Sequence, residues 1–227
     1  MSEEVYVCDS RVIPFYSFDD KQNKYKRILY LGTHITTRSL NSGFYYFGVG
    51  NKFWSIIKEL YDSDSLTQAI EDYKKELKKA KKRFRKDPNG QAKITEIMSA
   101  KRESLIKVLQ QHGIVINDLI GLCKCTGAED EEIIEGSVVP NDGRNGFHDV
   151  PALMRDAEVI VINGIGLDGN GKTKENSARY YLELFGFLDD SDIKKKIVYV
   201  KGSSSRGSID ELVAYWKGEY SINGVLS

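Results

Sequence analysis

Four short runs of apolar and β-branched residues, each ended by glycine or an Asn/Lys-Gly pair, constrain this chain most. They are residues 27–31 (RILYL) before Gly32, 114–120 (IVINDLI) before Gly121, 158–162 (EVIVI) before Asn163-Gly164, and 197–200 (IVYV) before Lys201-Gly202. Runs of this length with such endings predict strands, although Asn117 and Asp118 interrupt the second. Helical spacing falls between them: FWSIIKELY from Lys52 onward, and residues 174–187. Ser208-Ile209-Asp210-Glu211 is a capping box that opens a last helix carrying Leu212, Val213 and Trp216. Strands alternating with helices predict an α/β chain with a largely parallel sheet covered on both faces. Ligands of such sheets bind past the carboxyl ends of the strands. The loops after Gly32, Asn163 and Lys201-Gly202 are therefore the first places to look for a site.

One region departs from the alternation. Residues 65–112 are nearly all helix-forming, broken at Asp87-Pro88-Asn89-Gly90, and Ser65 with Gln68 reads as a capping box. This predicts an inserted basic helical hairpin, because residues 74–86 hold nine Lys or Arg and one Glu. A basic helix is either a solvated face or an arm for phosphates or a protein partner. Lys+Arg and Asp+Glu both total 33, which excludes a uniformly basic scaffold. The acidic run 129–135 offsets the basic one, so zero net charge is compatible with a polarised surface. At 227 residues the chain suits one full-sized domain, and no stretch approaches the ~20 apolar residues of a membrane span. Met1-Ser2-Glu3-Glu4 does not open a secretory signal, and Cys8, Cys123 and Cys125 are an odd set. The expectation is an intracellular, cytoplasmic protein.

Chemistry-bearing motifs are few. Cys123-Lys124-Cys125 is a C-x-C pair with Cys8 remote in sequence and His34, His112 and His148 scattered. Four well-spaced ligands are missing, so the expectation is buried or semi-buried free thiols, with neither a metal nor a cofactor. Residues 166–173 (GLDGNGKT) satisfy the phosphate-loop pattern between a strand and a helix. Asp168 stands where phosphates would lie, and only Asp118 is a near candidate for holding magnesium. The stretch from Gly32 to Trp54 carries most information. There a strand end is followed by Thr33, His34, Thr36, Thr37 and the aromatic cluster Phe44-Tyr45-Tyr46-Phe47, then Asn51 at a helix start. Flat rings with hydrogen-bonding side chains suit an extruded nucleobase, although the residues alone favour a loop packed on the core.

Read in order, Ser39-Leu40-Asn41-Ser42-Gly43-Phe44-Tyr45-Tyr46 and Asn51-Lys52-Phe53-Trp54 resemble the uracil-DNA glycosylase superfamily, closest to its mismatch-specific and hypoxanthine branches. The segment from Gly113-Ile114 to Gly121-Leu122-Cys123, then Val139-Pro140-Asn141-Asp142, Ile162-Asn163-Gly164 and Lys201-Gly202-Ser203-Ser204-Ser205, is similar to that branch in the same order. The resemblance implies a three-layer α/β/α fold acting as a monomer on DNA, with RNA as the alternative substrate. It implies hydrolysis of the N-glycosidic bond of a damaged, deaminated or modified base. A non-catalytic nucleic-acid or modified-base binding module on the same fold is the alternative. By the same resemblance Tyr46 stacks on the base, with Gly32, Thr33 and Phe47 around it, and Asn163 reads its edge. Asn51 falls on a catalytic position. The first motif departs from the family, with Thr33-His34-Ile35 where Asp or Asn, or Phe-Pro, is usual, and His34 is the residue expected there to position water or donate to the leaving base. Ser203, Ser204 and Ser205 pinch the backbone, and Arg206 fills the gap left by the base.

Overall fold

The computed structural model describes residues 5–19, 21, 24–48, 50–126, 132–134 and 136–225. Most of the acidic run 129–135, and Val49 of the aromatic loop, lie outside them. The strands are β1 (Tyr6–Asp9), β2 (Ile28–Gly32), β3 (Ile114–Asp118), β4 (Ile120–Cys125), β5 (Val139–Pro140), β6 (Val159–Asn163) and β7 (Ile197–Val200). The helices are α1 (Thr37–Leu40), α2 (Phe53–Tyr61), α3 (Asp64–Arg83), α4 (Gly90–Gln111), α5 (Val150–Asp156), α6 (Ala178–Leu184), α7 (Ser191–Lys194) and α8 (Ile209–Ile222).

Strands β3-β2-β6-β7 form a parallel sheet in that order. Every residue of β2 and β3 is buried: β2 lies inside the covered parallel sheet, and β3, at the end of the strand order, has α4 packed against it. Register places Gly32 opposite Asp118 and Asn163 opposite Val200. The strand ends named from the sequence therefore share one edge, with Asp118 among them. Mixed α/β with a parallel sheet is the architecture observed.

The 114–120 run proves to be two strands rather than one. After Asp118 the chain turns across the end of β2, where Leu119 N donates to Gly32 O and Ile120 N to Thr33 O, both at 3.0 Å. It then enters a second sheet, the antiparallel β1-β4-β5, which the apolar runs did not predict. Asn117 and Asp118 interrupt the run because they sit at this junction. They are nearly sealed from solvent, at 1% and 2% exposure. Asn117 Oδ1 lies 3.0 Å from His148 Nδ1 and accepts from the Tyr45 hydroxyl at 3.3 Å.

Two helix starts differ from expectation. The cap of α3 is Ser63, whose hydroxyl accepts from Leu66 N, and not Ser65, which lies inside the helix. The helical span expected at 174–187 is only α6, opened by Ser177, whose hydroxyl accepts from Tyr180 N. The capping box at Ser208 and Glu211 is present as expected. Helices α3 and α4 pack on each other and also bury Leu66, Ile70, Tyr73, Met98 and Leu109 in the same core as the central sheet. The Tyr73 hydroxyl donates to Ser42 O, and buried Arg102 donates to Gly43 O, so both helices brace the aromatic loop. Among the described residues no helix is long and apolar enough to cross a membrane.

Candidate active site

A cavity of about 400 Å³ opens at the carboxyl edge of the parallel sheet. Gly32, Thr33, His34, Tyr46, Asn51, Asn163, Ser204 and Ser205, from four separate segments, all line it. Its size is that of a small-molecule site.

The floor is set by Gly32. A Cβ there would lie 2.3 Å from Asp118 Oδ1 and 2.5 Å from the Tyr46 hydroxyl, so a carboxylate and a phenol converge above this glycine. Asp118 is the single carboxylate among the described residues lining the cavity. Sequence reasoning assigned it no role at this site; its position at a strand end, next to the expected crevice, was the available signal. Burial, with the Asp118 charge adding to it, holds the Tyr45 phenol well above its ordinary pKa and keeps it neutral.

Tyr46 has a left-handed backbone, φ 59°, which is uncommon for an aromatic residue and costs conformational energy. Its ring stacks on Phe53 with centroids 4.3 Å apart. Phe47 behaves differently. It packs between Trp54 and Tyr73, at 4.7 and 4.4 Å, and lines a neighbouring groove rather than the main cavity.

The two amides are held by the loops around them. Asn51 Oδ1 accepts from Phe53 N at 2.9 Å and so tethers the start of α2. Asn163 Oδ1 accepts from Ser203 N at 2.8 Å, and Asn163 Nδ2 donates to Ser203 Oγ at 3.1 Å. An amide offers two donors and two lone pairs, so Ser203 uses half of each. Ser203 is buried and does not line the cavity; it fastens Asn163. Lys52 reinforces this loop, its N donating to Ser203 O and its Nζ to Ser205 O. Arg206 is exposed and outside the lining. Lys174 and Lys201, neither expected from the sequence, bring positive charge to the wall.

The phosphate-loop match is a closed turn. Asp168 Oδ1 accepts from Asn170 N at 2.8 Å and Lys172 N at 2.9 Å, occupying backbone donors a phosphate would need. Helix α6 starts only at Ala178, so Lys172 and Thr173 do not sit at a helix start as that motif requires.

The neighbouring groove, about 270 Å³, shares Tyr46 and Asn51 with the cavity and runs along Lys74, Leu77, Lys78 and Lys81 of α3. Part of the basic stretch thus borders the site; within the stretch Lys74 pairs with Glu71 at 3.5 Å and Lys79 with Glu76 at 2.7 Å.

The three cysteines are free and buried, in line with the sequence reading, but Cys8 is not remote from the others in space. Strand β1 pairs antiparallel with β4, which sets Cys8 directly opposite Cys123, and both lie beside His34. No family model, curated protein or solved structure matches this chain.

Proposed function

We propose that this chain is a monofunctional DNA glycosylase that hydrolyses the N-glycosidic bond of a damaged, deaminated or modified base flipped out of DNA. The three-layer α/β/α arrangement, a monomeric state and a cytoplasmic location belong to the same reading. The observation that carries it is the membership of one cavity: a strained tyrosine, two tethered amides, one buried carboxylate and a serine-rich rim. Cleaving C1′–N passes through an oxocarbenium-like sugar while negative charge grows on the departing base. The Asp118 carboxylate suits the first charge and a bound water, and the Asn51 and Asn163 amides suit the second. Water adds at C1′, its proton passes to solvent through the carboxylate, and the base leaves with the bonding electrons. Tyr46 supplies the stacking face, while Lys174 and Lys201 suit the flanking phosphates.

The test is a panel of single- and double-stranded oligonucleotides, each with one altered base, scored for abasic sites under single turnover. Release of at least one base is expected, with Asp118→Asn and Asn51→Ala lowering the rate by about 100-fold or more. Tight binding of a modified base without release would instead make the protein a binding module. Neither binding nor release across the panel would end both readings.

A further inference from the structure

The buried cysteines form a constellation that the proposed reaction does not use. Alternation along a strand puts Cys123 and Cys125 on the same face of β4. The register of β1 sets Cys8 directly opposite Cys123. Cys8, Cys123 and Cys125 are sealed from solvent at 1%, 0% and 0% exposure. His34 reaches the cluster from the loop after β2, itself 6% exposed. One ligand atom each of Cys8, His34 and Cys123 lies within 4.8 Å of the others. Cys125 lies outside that group of three, but its Sγ is 2.9 Å from Cys8 Sγ and the His34 imidazole interacts with its thiol, which makes it the fourth ligand at hand.

We propose that Cys8, Cys123, Cys125 and His34 form a structural zinc site. Three thiolates and an imidazole are a complete ligand set for a tetrahedral zinc centre, and a closed, buried site is the structural kind. Soft sulfur donors with no carboxylate among them disfavour calcium and magnesium. With zinc–sulfur bonds of about 2.3 Å, sulfurs at tetrahedral angles stand roughly 3.8 Å apart. Binding therefore spreads Cys8 from Cys125 by about 1 Å and draws Cys125 in toward the group formed by Cys8, His34 and Cys123. Binding releases the thiol protons to solvent and leaves three thiolates on the metal, with no change of oxidation state.

The location gives the metal a purpose. His34 and Thr33 line the cavity, whereas the cysteines belong to the antiparallel sheet. Zinc at this point ties the first cavity loop to β1 and β4, so the wall beside Asp118 is held by a coordinate bond. His34 then acts as a ligand that positions the loop. The inference rests on the cluster itself and stands whether or not the cavity releases a base.

Metal analysis of reduced, purified protein tests the site directly. About one zinc per chain is expected, and Cys8→Ser, Cys125→Ser and His34→Ala should each lower that content at least tenfold. Asn51→Ala, a cavity change outside the cluster, should keep it. Because cysteine variants can fail to fold, the wild-type chain is also stripped, reduced and titrated with cobalt(II). Thiolate-to-cobalt charge-transfer absorption and the intense d–d bands of a tetrahedral centre should appear and saturate near one equivalent. Protein isolated without zinc that also gives no such bands overturns the site. So does full zinc retention by the three ligand variants.

Discussion

Gly32 shows how one missing side chain shapes the site. Its backbone is not left-handed, so the need for glycine here is one of space rather than torsion. Gly32→Ala would drive a methyl into Asp118 Oδ1 at 2.3 Å and into the Tyr46 hydroxyl at 2.5 Å. Both belong to side chains wedged in a packed wall, so the methyl is accommodated only by displacing them. A loss of about 1–3 kcal/mol in stability is expected from overpacking, read from urea midpoints. Binding of an extruded base should weaken as well, because the same methyl moves the stacking ring. A variant with wild-type stability and affinity would show that carboxylate and phenol do not converge there. The sequence exposed most of this wall: Thr33, Tyr46 and Asn51 lie between a strand end and a helix start, where binding residues collect. Asp118 was weighed only as a magnesium candidate for the phosphate-loop match, because a polar residue inside an apolar run looks like a break in a strand. Cys8 was hidden for a different reason, since only the pairing of β1 with β4 brings it across 117 residues to Cys125.

At the scale of elements, buried polar groups fasten the two sheets together around the β3–β4 junction. Asn141 Nδ2 donates to Asp118 O at 2.7 Å, and Asn141 Oδ1 accepts from Ser10 Oγ and His148 N. His148 closes the network against Asn117, and burial lowers its pKa below the ordinary histidine value. His112, placed by Ser63 and Ser65 at the start of α3, is lowered by burial as well. In both cases the unfolded chain binds a proton more readily than the folded one. Stability from these groups is complete above about pH 6.5 and is lost as the pH falls through that value toward the lower folded pKa. Urea midpoints measured from about pH 8 to about pH 5 should therefore decline on acidification. His148→Gln should make the decline shallower, and an equally steep variant would remove His148 as its source. Local signals sufficed for β7, α2 and the capped start of α8, each specified within a few neighbouring residues. The antiparallel sheet was illegible because its strands are short and their partners are distant in the chain.

At the scale of the whole molecule, zero formal charge conceals a directional distribution. Lys74, Lys78 and Lys81 follow the helical spacing that puts them on one side of α3, along the groove that joins the cavity at Tyr46 and Asn51. Burial lowers the pKa of Lys74 and Lys81, as expected of ammonium groups seated against a wall. Lys75, Lys79 and Lys82 carry the same charge on the exposed remainder of the helix. If the proposed nucleic-acid substrate runs from cavity to groove, the two sets differ in effect despite equal charge. Replacing Lys74, Lys78 and Lys81 by glutamine should weaken binding to all sequences alike, since phosphate contacts carry no base information. The slope of log affinity against log salt should flatten by about 0.9 for each duplex phosphate that the variant no longer neutralises. The Lys75/Lys79/Lys82 variant makes the same change in net charge and should keep nearly the wild-type slope. Duplex affinities across a salt series for the three proteins decide the point. Equal flattening in both variants would mean the substrate responds to overall charge, and no flattening in either would leave α3 a solvated helix turned away from the substrate's path.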